Sequence, residues 1–195
     1  MKTLQFNSIT NFKLKTTKTC SMYALLAIAM IGCSDDDTPV VINEEEVITT
    51  VILTLTPESG DQVVLTTQDL DGDGPDEPVT ITTGSFNENT QYQGAVRFLN
   101  ETETPAEEIT TEVIEEADEH QVFYTVSSGL NITTTYQDAD SNGNPLGVSI
   151  TLETGAASAG NLTVTLRHEP VKPNDGLDSA GGETDITTTF DVTIE

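Results

Sequence analysis

The chain has 195 residues, enough for one domain with its own core, and 33 Asp and Glu against 7 Lys and Arg give a formal net charge of −26. Residues 1–32 hold four lysines and no acid, so the rest of the chain sets 33 acids against Arg97, Arg167 and Lys172, a charge of −30. A surface that negative repels phosphate backbones and anionic headgroups and excludes nucleic acid as a partner, and with no Trp and 5% aromatics there is little for a stacking platform.

The first 32 residues read as a bacterial export signal. Lys2, Lys13, Lys15 and Lys18 precede an apolar run from Met22 to Ile31, which ends at Gly32-Cys33. Ten residues make roughly 15 Å of helix, half of a ~30 Å hydrocarbon core, so the run is the apolar segment of a signal peptide and too short for a membrane span. A small residue immediately before Cys33 fits a lipoprotein signal peptidase site, at which the thiol is alkylated with diacylglycerol before cleavage. The alternative is a plain secreted chain with an incidental cysteine. Cys20 lies inside the segment to be removed, so once Cys33 is lipidated the mature domain has no thiol for a disulfide, a zinc site or a nucleophile.

Residues 33–46 follow as an acidic tether, with Asp35-Asp36-Asp37, Pro39 and Glu44-Glu45-Glu46. From Ser34 to Glu46 it reaches at most about 45 Å. The opening Cys33-Ser34-Asp35-Asp36-Asp37 resembles the mature ends of small acidic lipoproteins of Bacteroidota. The resemblance extends through Asp69-Leu70-Asp71-Gly72-Asp73-Gly74-Pro75, Glu116-Ala117-Asp118-Glu119-His120-Gln121, Leu166-Arg167-His168-Glu169-Pro170 and Gly182-Glu183-Thr184-Asp185-Ile186. It implies export to the outer face of the outer membrane, because in that group an acidic stretch just after the cysteine is the export signal. Some of these uncharacterised relatives carry an automatically assigned type 1 periplasmic binding fold. That fold needs two α/β lobes, for which this chain has neither the length nor the alternating helices.

Beyond the tether the dominant signal is period two. Val51, Leu53 and Leu55 alternate with Ile52, Thr54 and Thr56, and the same pattern runs through Val148–Leu152 and Leu162–Leu166. Ile186, Thr188, Phe190, Val192 and Ile194 share a face opposite Thr187, Thr189, Asp191 and Thr193. Weaker strands cover Val63–Thr67, Val79–Thr83, Tyr92–Leu99, Gln121–Ser127 and Ile132–Gln137. Gly, Asn, Asp and Ser clusters at 59–61, 142–145 and 158–161 mark turns between them. One segment departs from the pattern. Thr104-Pro105-Ala106-Glu107-Glu108 reads as an N-cap, a proline at the first helical position and acids in the first turn, and Ile109, Val113 and Ala117 recur at helical spacing. The expectation is a helix over about 105–118, laid across the open end or edge of the sheets. The whole predicts a mostly-β fold: a single antiparallel β-sandwich of seven to nine strands, Ig-like in outline, over 47–195.

Residues suited to chemistry are few. His120 follows the acidic helix and His168 ends a strong strand. Two histidines so far apart read as edge or loop residues, and neither is expected to be catalytic. No nucleophile elbow, zinc-protease motif or phosphate loop is present, and 33 acids guarantee accidental carboxylate pairs, so the chain reads as no enzyme. Two loops have calcium-ligand spacing. Asp69, Asp71 and Asp73 alternate before Gly74, with Asp76 and Glu77 as reserves; Asp138, Asp140, Asn142 and Asn144 repeat the idea more weakly. Both lack the bidentate Glu of an EF-hand at position twelve, where Thr80 and Ser149 stand. For the second loop, Asn142-Gly143 between strands is a hairpin signal in its own right.

Two functions are compatible with this chain. One is a non-catalytic surface lipoprotein, a display, adhesion or accessory module anchored to the membrane through its lipid alone and stabilised by Ca²⁺ at Asp69–Glu77. The other is a glycan- or nutrient-binding module of an outer-membrane uptake system. The second wants exposed aromatics, whereas Tyr92, Tyr124, Tyr136 and most of the Phe residues beyond the signal fall at strand positions expected to be buried. Attachment to the periplasmic face is the alternative to cell-surface display.

Overall fold

A computed structural model describes residues 46–195 with the exception of Asp73, so the expected signal peptide, Cys33 and the expected tether up to residue 45 lie outside the described residues. In chain order the strands are β1 (Thr50–Pro57), β2 (Val63–Gln68), β3 (Val79–Thr83), β4 (Gln91–Asn100), β5 (Glu107–Glu108), β6 (His120–Val126), β7 (Ile132–Tyr136), β8 (Ser149–Thr154), β9 (Ser158–His168) and β10 (Glu183–Ile194). Helix α1 (Ile109–Glu115) lies between β5 and β6, and α2 (Leu177–Ala180) between β9 and β10.

The strands form two antiparallel sheets. The larger runs β3-β2-β1-β4-β8-β7, with β5 paired to β4, and the smaller runs β10-β9-β6. Seven strands against three is a more lopsided division than an immunoglobulin outline provides. In the centre of the larger sheet Leu53 stands opposite Leu65 on one side and Val96 on the other. Period-two burial then follows from the pleat: Tyr92, Gly94, Val96 and Phe98 of β4 face inward while Gln91, Gln93, Ala95 and Arg97 face out. Gly94 is small of necessity, because a Cβ there would stand 2.6 Å from Ile150 Cγ1 and 3.0 Å from Leu55 Cδ2.

Both sheets contribute to one core, with Leu53, Leu65, Phe98 and Ile150 from the larger and Leu162, Leu166 and Phe190 from the smaller. A hydroxyl joins the layers inside it: Thr188 Oγ1 donates to Thr67 Oγ1 at 2.7 Å in a buried setting. The sandwich predicted from period two is therefore present, with ten strands instead of seven to nine. The tenth is the two-residue β5.

The same β5 corrects the helix. The chain is extended at Glu107–Glu108, where it pairs with Leu99 and Asn100, and the helix begins at Ile109 and ends at Glu115. Arg97 pairs with Glu108 across this ladder, and Thr110 Oγ1 accepts from the Phe98 N–H at 2.8 Å. Sheet pairing thus claims residues that local capping chemistry assigned to a first turn. Ile109 and Val113 are buried as their spacing requires.

Candidate functional site

The two histidines meet. β6 and β9 run antiparallel in a register that sets His120 opposite His168, and the facing imidazoles stack at a centroid distance of 4.7 Å and an interplanar angle of 18°. Each continues an inward stripe: Leu162, Val164 and Leu166 lead to His168, and His120 precedes Val122. Their side chains are 0% and 6% exposed.

β10 brings a carboxylate to the pair. Glu183 stands opposite His168 and Thr184 opposite Arg167, but the next pair is Ile186 with Leu166, so Asp185 is an extra residue in the ladder. Such a bulge re-aims a side chain that strict alternation would send elsewhere. The Asp185 side chain is 2% exposed, with Oδ1 4.0 Å from His168 Nδ1. Glu119 Oε2 lies 3.9 Å from His168 Nε2. From the segment ahead of β1, Glu46 places Oε1 3.4 Å from His120 Nε2.

The electrostatics of this corner are strained. His120 Nδ1 donates to the Glu116 carbonyl at 3.2 Å, which turns the Nε2 lone pair toward Glu46. Burial lowers the His120 pKa, opposed by that hydrogen bond and assisted by His168. The Glu46 pKa is pushed up to about 7, first by burial and then by the carboxylates of Asp185, Glu112, Glu116 and Glu107. His120 Nε2 and Glu46 Oε2 are buried without a hydrogen-bond partner. Lys172 borders the site: its Nζ donates to the carbonyls of Ala117 at 2.7 Å and His120 at 2.5 Å and lies 3.4 Å from Asp140 Oδ2. Its ammonium is spent on that corner. Chemically, two imidazoles beside buried carboxylates can hold a divalent ion or share a proton.

Sequence reasoning placed both histidines at edges or in loops. Period two offered the missed signal, since it runs without a break from Leu162 to His168.

The two acidic loops are built differently. In the β2–β3 connection, Asp69 Oδ1 accepts from the N–H of Gly72 at 2.9 Å and of Asp71 at 3.3 Å, and Asp71 Oδ2 accepts from the N–H of Asp76 at 3.2 Å. The turn is exposed, and two of its acids serve its own backbone; Glu77 is also exposed and Asp73 lies outside the described residues. Between β7 and β8, Asp138 accepts from the N–H groups of Gly147 at 2.7 Å and Ser149 at 2.8 Å. Asp140 Oδ1 accepts from those of Asn142 at 2.9 Å and Asn144 at 2.8 Å. Gly143, at φ +86°, completes a turn by donating to Asp140 O. The loop connects the paired strands β7 and β8, and the Lys172 ammonium lies 3.4 Å from Asp140 Oδ2.

The aromatics that reach a cavity are few: Phe123 and Tyr136 line a recess of about 120 Å³ beside Pro145 and Pro173. A groove of about 680 Å³ is lined by Thr56, Glu58, Asn87, Asn89, Gln91 and their neighbours, without an aromatic. Tyr92, Phe86, Phe98, Phe123 and Phe190 are buried, and Tyr124 and Tyr136 spend their hydroxyls on the carbonyls of Gly147 and Val122. Among the described residues no helix is long and apolar enough to cross a membrane. No protein-family model, no curated protein and no solved structure matches the chain.

Proposed function

We propose that this protein is a non-catalytic lipoprotein of a bacterial cell envelope, attached through Cys33 and displayed at the outer surface as an adhesion or accessory module. The supporting observation is the division of labour along the chain. An apolar export segment and a lipidation cysteine precede an acidic tether, and the sandwich begins with β1 at Thr50, just past the tether's end at residue 46. The tether supplies reach and the sandwich supplies surface. With most of the described aromatics buried and the Tyr124 and Tyr136 hydroxyls bonded to backbone carbonyls, that surface is mainly polar and acidic, which favours polar protein contact over glycan stacking.

The test is anchoring. Cys33→Ser should release the protein from the membrane fraction and abolish labelling by a clickable palmitate analogue; unchanged partitioning of the variant would sink the proposal. Protease added to intact cells should digest the domain, whereas complete protection would put it on the periplasmic side.

A further inference from the structure

We propose that His120, His168 and Asp185, with Glu46 as the fourth ligand, form a binding site for a borderline divalent transition metal, Zn²⁺ first among them. One ligand atom from each of the first three lies within 4.8 Å of the others, and Glu46 Oε1 is 3.4 Å from His120 Nε2. Ligand atoms around a tetrahedral zinc, at about 2.0–2.2 Å from the metal, stand about 3.4 Å apart. Closing the set needs the two imidazoles, stacked 18° from parallel with centroids 4.7 Å apart, to rotate so that their in-plane lone pairs converge on one ion.

Three features distinguish the corner from an ordinary acidic cluster. The first is its tautomer: His120 Nδ1 is held by the Glu116 carbonyl, which leaves Nε2 with a bare lone pair. A ligating histidine is oriented in this way, its second ring nitrogen donating to a backbone carbonyl or carboxylate. The second is the unmet demand. His120 Nε2 and Glu46 Oε2 are buried polar atoms without a hydrogen bond, on side chains 0% and 9% exposed. Lone pairs facing each other in a desolvated pocket call for a positive charge between them. The third is the bulge, which spends a ladder position in β10 to bring Asp185 inward beside two histidines already in cross-strand register.

Imidazole sets the metal class. Two nitrogens with carboxylates suit zinc and its neighbours, whereas calcium and magnesium prefer an all-oxygen shell. A bound ion would pin the segment entering β1 to three strands of the smaller sheet, a fastening role in a domain without a disulfide.

The purified full-length chain, stripped with chelator, should take up one equivalent of Zn²⁺ in isothermal titration, unaffected by millimolar Ca²⁺ or Mg²⁺. Co²⁺ in its place should show the intense visible absorption of four-coordinate cobalt. His168→Gln and the near-isosteric Asp185→Asn should each weaken Zn²⁺ uptake at least about tenfold, the scale seen even for residues that only support a ligand. Far-UV circular dichroism of Asp185→Asn guards against reading misfolding as lost affinity. Absence of stoichiometric uptake by the wild-type chain would overturn the proposal and leave a proton shared by Glu46 and His120 as the occupant. Uptake undiminished in a folded Asp185→Asn and in His168→Gln would also overturn it, by assigning the metal to surface carboxylates or to the thiols of Cys20 and Cys33.

Discussion

Phe190 and Thr189 are neighbours in β10 on opposite faces. Phe190 is fully buried, and its truncation to Ala should cost about 3–5 kcal/mol in chemical denaturation. Thr189 is exposed and shares a 2.9 Å hydroxyl contact with Thr163, so Thr189→Ala should cost less than about 1 kcal/mol. Comparable costs on the two faces would contradict a two-layer fold. Glu101 supplies a pH-dependent counterpart. Thr50 Oγ1 and Gln68 Nε2 each donate to Glu101 Oε2 at 2.5 Å, and these bonds lower its pKa, Thr50 first. A depressed carboxylate contributes stability above its unfolded pKa, about 4.3, and loses it as pH falls through the folded value. Urea midpoints of wild type should therefore drop more steeply below about pH 4.3 than those of Glu101→Gln; parallel curves would show that the two bonds do not favour the charged form. Inward and outward positions of this kind can be read from alternation alone. The same alternation carries His168 into the interior, but it sends Asp185 to the face shared by Thr187 and Thr189. The bulge that turns Asp185 inward is a one-residue slip with no local signature in Thr184-Asp185-Ile186, so the third member of the histidine corner was not legible.

Lys172 shows what an element boundary needs. It lies in the β9–β10 connection, yet its ammonium binds the carbonyls of Ala117 and His120 at the α1–β6 corner and faces Asp140 of the β7–β8 loop. Burial lowers its pKa, and Asp140 opposes that shift. Lys172→Met keeps the length and loses the charge. It should destabilise by on the order of 3 kcal/mol, because it strands a buried carboxylate and two carbonyls. A loss within 0.5 kcal/mol of zero, roughly the scatter of surface substitutions, would mean that the three segments hold without it. Nothing near Lys172 in sequence announces the contact, since its three partners are 32, 52 and 55 residues away. For the same reason α1 was misplaced at its start. Thr104, Pro105 and the acids after them satisfy local rules for a helical first turn, and only the tertiary pairing of Glu107–Glu108 with β4 decides otherwise. Strands fared better. β3 was legible even though all five of its residues are exposed, because Val and Thr enrichment marks extended backbone whether or not a face is covered.

At the scale of the molecule the governing quantity is charge. Beyond residue 32 three basic side chains face 33 acids, and two of those bases are already engaged, Arg97 with Glu108 and Lys172 with the α1–β6 corner. The remaining carboxylates repel one another across a domain too small to keep them far apart, and that repulsion opposes the compact state. Unfolding lets the chain expand and relieves it. Simple salt should relieve it too: the Debye length falls from about 30 Å at 0.01 M to about 10 Å at 0.1 M and about 3 Å at 1 M, so most of the repulsion is screened within the first few hundred millimolar. NaCl from 0.01 to 0.3 M should therefore raise the melting temperature of the chelator-treated chain. A gain of about 1 kcal/mol corresponds to roughly 2–4 °C for a domain of this size. Zn²⁺ at micromolar concentration contributes nothing to ionic strength, so a further rise on adding it at 0.3 M NaCl would report specific occupancy of N over U, growing as the logarithm of free metal over Kd. The two effects separate by variant. Asp185→Asn should retain the salt-induced rise and lose the zinc-induced one. A melting temperature indifferent to NaCl would show that the acids are spaced too widely, or paired too well, for their sum to matter.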